Sequence, residues 1–325
     1  SYSKLGDYKK ALEHFQKYAE IAKGEANPFD SMADMYYIMG EIDKAIDYYN
    51  KALQVKSDFI SGKKISYLYA LKENYDEALN WTDRHIENSI LPIEKSSGYL
   101  LKAFLLYWIG AYDQSLASLD QSVLLVEQQG YESRQAFTDF LRGWIYLEKG
   151  DYIKSKNRFN SCLRQYFEIH PQNREFSRAL NSFALGNVFL VEGLLDSSQA
   201  KLDDLDTIVL QIPTEYKNRI EVIRNYYQGE VNLLEQNYNK AIALKNKISF
   251  TGEVDLLQDI QSTILYNLPF IRDFVARAYI KIGDIDSAIF IYENLNHFAP
   301  EKNNRRLINP KLHYRLAKLY EQKGW

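Results

Sequence analysis

Crosslinks and chain breakers are scarce in this 325-residue chain. It has one cysteine, Cys162, so no disulfide can form within the chain and packing must hold the fold. A disulfide-free chain fits a cytosolic location. Proline is 7 residues and glycine 15, both well below the usual roughly 5% and 7%, so few residues break helices. No run of five like charges occurs and the formal net charge is −3, so the basic stripe of a nucleic-acid binder is absent. The longest apolar stretch, Tyr99 to Tyr112, contains Lys102 and is too short to span a bilayer. The opening Ser1-Tyr2-Ser3-Lys4 has no signal-peptide pattern. What is plentiful is apolar material, 46% of residues, with 26 tyrosines and 16 phenylalanines, so disorder is excluded and long helices with large side chains between them are expected.

At about 150 residues per domain the length suggests two domains. Self-comparison gives a different reading. The phrase Gly-x-Tyr/Ile-x-x-Ala/Ser recurs along the chain. It stands at Gly6-Asp7-Tyr8-Lys9-Lys10-Ala11, Gly40-Glu41-Ile42-Asp43-Lys44-Ala45, Gly150-Asp151-Tyr152-Ile153-Lys154-Ser155 and Gly283-Asp284-Ile285-Asp286-Ser287-Ala288, among others. Glu73 and Gln236 replace the glycine in two copies. The turns fall at 6, 40, 73, 110, 150, 193, 236, 283 and 324, so the spacing starts at 34 and 33 and stretches later to as much as 47. Upstream of each turn stands a small residue, such as Ala33, Ala103, Gly143, Gly186, Gly229, Ala276 or Ala317, sized for two helices to cross closely. The seven prolines fall between hairpins or at their starts.

These features resemble the tetratricopeptide repeat (TPR) family, most closely in the second copy: Phe29, Met32, Ala33, Tyr36, Gly40, Ala45, Tyr49 and Ala52. The resemblance implies an all-α solenoid, a TPR superhelix of antiparallel helix hairpins, with about seven full repeats and two partial ones. Residues 1–325 then form a single TPR solenoid, and the reading expects a fragment of a longer chain cut within a repeat at both ends. The segment Asn309–Trp325 is similar to the closing repeats of bacterial signalling proteins in which such arrays follow a kinase, cyclase or TolB-like domain.

A search for chemistry finds none. His14, His85, His170, His297 and His313 show no metal-ligand spacing, and no His-Glu-x-x-His motif exists. Cys162 occupies a small-residue slot and reads as a packing thiol. Ser61-Gly62-Lys63-Lys64 lacks the upstream glycine of a phosphate loop. Asp203-Asp204-Leu205-Asp206 lacks calcium-loop spacing and reads as a solvated helix end. The expectation is a non-catalytic protein with no cofactor and no metal.

Binding is left. The family's inner face is lined by four positions of each first helix. Carried over, these give an aromatic middle of Tyr67, Phe104, Tyr107, Phe137, Phe140, Trp144, Phe183 and Tyr226. The flanks are polar, with Asp30 and Asp34 early and Asp273, Arg277, Tyr314 and Lys318 late. Aromatic rings on a concave surface are common binding hot spots. The carboxylate clamp of chaperone-binding relatives is not expected, because Asp30 and Asp34 would repel a carboxylate and Tyr67 replaces the clamp asparagine. Three functions follow in order. The first is a scaffold holding a protein or peptide segment in the groove. The second is a small-molecule sensor in a bacterial regulator. The third is a homo-oligomer joined through end repeats that carry Leu312, Leu316 and Leu319.

Overall fold

The computed structural model describes residues 7–127, 130–248, 260–267, 273–299 and 305–325. Among these every regular element is a helix. Seven hairpins follow one another: α2 (Asn27–Ile38) with α3 (Ile42–Val55), α4 (Ser61–Leu71) with α5 (Tyr75–Asn88), and α6 (Pro92–Trp108) with α7 (Tyr112–Leu124). Then come α8 (Glu132–Glu148) with α9 (Tyr152–Ile169), α10 (Arg174–Glu192) with α11 (Leu195–Gln211), α12 (Thr214–Leu234) with α13 (Tyr238–Ala243), and α15 (Phe274–Lys281) with α16 (Ile285–Leu295). Half-hairpins α1 (Tyr8–Ile21) and α17 (Pro310–Lys323) stand at the two ends, and α14 (Ile260–Asn267) lies outside the repeat pattern. This is the all-α repeat architecture that the sequence predicts.

The recurring phrase is a compact set of instructions. Every described turn position has positive φ, the glycines from 73° at Gly193 to 85° at Gly283, and the two non-glycines comply, Glu73 at 59° and Gln236 at 63°. The left-handed residue lets the last carbonyls of the first helix accept bonds, as in Gly150 N to Leu147 O at 3.1 Å and Asp151 N to Tyr146 O at 2.9 Å. The next residue caps the second helix: Asp7, Asn74, Asp151 and Asp284 each accept from a backbone N–H three residues on. The small residue that closes the phrase is buried in every copy, Ala11, Ala45, Ala78, Ser115, Ser155, Ser198, Ala241 and Ala288. It meets the small residue of the first helix: Ser115 Oγ donates to Ala103 O at 2.6 Å and Ser155 Oγ to Gly143 O at 2.8 Å.

Not every small slot serves that crossing. A Cβ at Gly143 would stand 2.4 Å from the Phe159 ring of its own hairpin. At Gly186 and Gly229 it would strike Tyr227 and Phe274, rings of the following first helix, so these glycines admit the next repeat. Gly62 and Gly98, which the pattern does not single out, make room for His85 and Ile86 of α5. Ala317, the small residue of α17, is exposed.

The stretched spacing has two sources. Helices α8 to α12 run 17 to 21 residues where α2 to α5 run 11 to 14. The longest interval instead holds the short α13 and the extra α14. Pro28, Pro92 and Pro310 stand in the first turn of helices, Pro171 opens a short 3-10 turn and Pro213 precedes α12, while Pro269 and Pro300 lie outside the described residues.

The described residues group into two compact units. Unit 1 holds residues 7–126, 260–267, 298–299 and 305–308, and unit 2 holds 127, 130–248, 273–297 and 309–325. Unit 1 thus takes in two stretches from far along the chain.

Candidate interaction surface

In unit 2 the predicted rings come together as one ladder. Centroids lie 6.1 Å apart for Phe137–Phe140, 6.1 Å for Phe140–Trp144, 6.1 Å for Trp144–Phe183 and 6.0 Å for Phe183–Tyr226. Phe159 and Phe274 join from adjacent helices at 5.3 Å from Trp144 and 5.6 Å from Tyr226. None of the five predicted rings is more than 6% exposed. In unit 1, Tyr67 and Phe104 are also buried, and only Tyr107 is half-buried, against Tyr112 at 6.2 Å. The expected open row of rings is therefore a packed spine. The glycines at 186 and 229 explain this, since each draws the next repeat's ring inward. The indole N–H of Trp144 is buried in the spine without an acceptor, a state that costs about 1–3 kcal/mol.

The late polar flank is a network. Asp273, 1% exposed, accepts from Arg277 Nε at 3.0 Å, from Tyr292 OH at 3.0 Å and from Arg315, while Arg277 also donates to Glu230. Burial pushes the Tyr226 phenol well up, with the Glu230 charge beside it adding to the shift. Tyr314 and Lys318 are exposed. Asp204 accepts from Arg178 at 2.7 Å and from Ser182, and Asp206 pairs with Arg224. The acidic cluster is thus mid-helix in α11 and engaged by α10 and α12, which corrects the reading of a solvated helix end. Leu312 and Leu319 are buried within unit 2 and Leu316 is half-buried, so the end-repeat stripe proposed for a second copy is mostly spent.

The early polar flank in unit 1 is also internally satisfied. Lys64 Nζ, 1% exposed, donates to Asp30 Oδ2 at 2.7 Å and to Asp34 Oδ1 at 2.8 Å. Tyr49 OH donates to Asp34 at 2.5 Å and Ser61 Oγ to Asp30 at 2.6 Å. Burial pushes the Asp34 carboxyl up to about 6, against the opposing pull of Lys64. Burial also works against the Lys64 charge, but the two carboxylates outweigh it and its pKa is raised. Lys63 pairs with Glu94 at 2.7 Å. Both lysines that a carboxylate clamp would need are committed to partners.

The same unit holds a feature that sequence reasoning missed. Residues 305–308 form no helix and bond to the last residues of α2 and α6 and the first residue of α5, and α14 packs on α6. The Ile308 carbonyl accepts from Trp108 Nε1 and from Tyr75 OH, each at 3.1 Å, which fills both of its lone pairs. Burial pushes the Tyr75 phenol up, so it keeps its proton for this bond. The Leu307 N–H donates to Asn267 Oδ1 at 2.9 Å, and Asn267 Nδ2 donates to Tyr67 OH at 3.1 Å. The Arg305 guanidinium lies 4.3 Å from the Tyr37 ring centroid and donates to the Tyr37 carbonyl. Arg305, Leu307 and Ile308 are each no more than 6% exposed. Tyr67 is the one predicted site residue in this set. Periodicity could not find the others, because the segment belongs to no repeat.

Among the described residues no group of three or more His, Cys, Asp or Glu could hold a metal ion. The Cys162 thiol is buried, and burial raises its pKa strongly, with Asp139 adding to the shift. Among the described residues no helix is long and apolar enough to cross a membrane.

With this geometry in place, comparison with known proteins agrees with the fold. Residues 1–24 and 30–59 match the family model described as tetratricopeptide repeat. A TPR repeat-containing protein of Methanocaldococcus jannaschii is 25% identical over 356 aligned positions, covering 82% of this chain and 60% of that protein. The chain therefore spans 60% of the length of that curated relative. The crystal structure of a tetratricopeptide repeat protein from Parabacteroides merdae superposes with TM-score 0.59 at 13% identity, over 81% of this chain and 94% of that one. Yeast Tom70 superposes with TM-score 0.55 at 13% identity, over 98% of this chain and 60% of that one. Residues 1–24 and 30–59 thus match tetratricopeptide repeats, and the described helices share the helical solenoid fold of the solved tetratricopeptide-repeat structures. That fold is in general a protein-interaction scaffold.

Proposed function

We propose that this chain is a non-catalytic scaffold that holds a non-helical protein segment against the ends of its hairpin helices in unit 1. The observation that carries the reading is the seating of residues 305–308 in unit 1. Side chains of α5, α6 and α14 satisfy that segment's main chain, Tyr67 of α4 in turn holds Asn267 of α14, and at Arg305 a carbonyl of α2 receives the segment's side chain. A face that can bind one stretch of backbone in this way is suited to binding another. Within unit 1, Tyr67 and Phe104 with Tyr107 then serve as rigid packing beneath that site, and within unit 2 the spine of Phe137, Phe140, Trp144, Phe183 and Tyr226 stiffens the repeats in the same way.

Selection from a random-peptide display library tests the proposal. Binders are expected, and their affinity should fall at least severalfold on a chain carrying Trp108→Phe and Tyr75→Phe, which keep an aromatic ring at each position and remove the donors. Failure to recover any binder, or binders indifferent to both changes, would overturn this placement of the site.

A further inference from the structure

The segment that occupies the unit 1 face is part of the same chain, and its contacts are those of a bound peptide. Its backbone is not paired with a strand or coiled into a helix. Its Ile308 carbonyl and Leu307 N–H are met by side chains: an indole, a phenol and a carboxamide. Its arginine is stacked on a tyrosine and bonded to a main-chain oxygen at a helix end, and its two aliphatic side chains are buried. The sequence distance is large, since Tyr37 and Arg305 are 268 residues apart and Trp108 and Ile308 are 200 apart. A repeat hairpin needs only its neighbours for stability. A stretch brought back over such a distance onto a face of another set of repeats is an addition to the repeat design.

We propose that residues 305–308 are an internal ligand that keeps the unit 1 face closed. A partner segment of the same chemistry, extended, with an arginine two and three residues ahead of an aliphatic pair, must displace it to bind. This rests on the scaffold reading above and adds its regulation. Binding to a site that is open only part of the time is weakened by the open fraction. The wild-type chain should therefore bind such a partner more weakly than a chain whose own segment has been disabled.

The test uses the full chain and a fluorescent peptide of residues 303–309 as probe, read by anisotropy. The disabling variant is Arg305→Ala with Leu307→Ser, which leaves Tyr37, Tyr67, Tyr75, Trp108 and Asn267 in place. Arg305→Ala alone is the milder second variant, and circular dichroism with thermal unfolding checks that each remains folded. At least tenfold tighter probe binding by the double variant than by wild type, with the single variant between them, is the expected result. Equal affinity for wild type and both variants would overturn the internal-ligand proposal and leave the scaffold reading standing. No binding to any of the three would overturn the scaffold reading at this face as well. Adding Trp108→Phe to the double variant should lower probe affinity severalfold, and an unchanged affinity would mean that the probe sits elsewhere.

Discussion

Two buried ionisable groups in unit 1 pull stability in opposite directions with pH. His85 lies between Gly62 and Gly98, and burial, with Lys63 nearby, lowers its pKa to about 4. In the unfolded chain it titrates near 6.5, so between those values the unfolded state binds a proton that the folded state refuses, and stability falls as pH falls. Asp34 behaves the other way. Its folded carboxyl, held up at about 6, takes a proton before the unfolded one does near 3.8, so stability rises as pH falls through that window. The two effects partly cancel in the wild-type chain. In His85→Gln the Asp34 effect stands uncovered, and the variant should gain stability relative to wild type by on the order of 2–3 kcal/mol between pH 7 and pH 4.5. Urea unfolding of both proteins at the two pH values measures it, and parallel pH dependence would contradict it. The turn residues give a second prediction at this scale. Gln236 sits at φ 63° where other copies use glycine, and a left-handed L-residue costs about 1–2 kcal/mol. Gln236→Gly should stabilise the chain by roughly 0.5–1 kcal/mol once glycine's larger unfolded-state entropy is deducted. Gly150→Ala, where a Cβ would meet nothing within 4 Å, should lose stability through backbone strain alone. A denaturation comparison in which the two changes share a sign would refute the strain argument.

Helices pack here through paired small residues, and that makes each crossing sensitive to a single methyl group. At Gly143 a Cβ would fall 2.4 Å from the rigid Phe159 ring, which Phe140 and Trp144 hold in place. Gly143→Ala should cost about 1–3 kcal/mol by overpacking, and Phe159→Leu in the same chain should recover part of that loss. A double-mutant cycle measures the coupling, and strict additivity would show that ring and glycine do not meet. The elements themselves were legible in the sequence, because one phrase encodes a stop, a cap and a crossing, and Ala45, Ser115 and Ser155 fill the same role at the same offset. Glu73 and Gln236 show why the phrase survives loss of its glycine: the bonds that close the turn hold the backbone left-handed without it. Less legible was the fate of the rings. Helical phase assigns Phe140, Trp144 and Phe183 to a face, but whether a face stays open depends on what packs over it. That depended on Gly186 and Gly229 admitting the next repeat, and in unit 1 on residues 305–308. Those four residues and α14 occur once, so a search for recurrence passes over them.

At the scale of the whole molecule, the two units are completed in different ways by the chain. A stack of hairpins needs only nearest-neighbour contacts, so residues 7–126 contain every interface between α1 and α7. The unit is nonetheless finished by residues that follow at a separation of 200 or more, including Asn267 on Tyr67 and Ile308 on Tyr75 and Trp108. Such distant closure is late in folding, because the long intervening loop must be closed before the contact gives any return. The fragment 1–126 should therefore fold as a helical stack that lacks its cover. Trp108 reports this directly when Trp81, Trp144 and Trp325 are each changed to Phe. In the full chain, where the indole is 7% exposed and bonded to the Ile308 carbonyl, emission should be blue-shifted and poorly quenched by acrylamide. In the fragment, at undiminished helical circular dichroism per residue, emission should move to the red and quenching should rise severalfold. If emission and quenching match in fragment and full chain, Trp108 is covered by the hairpins themselves and the distant segment contributes nothing to closing unit 1.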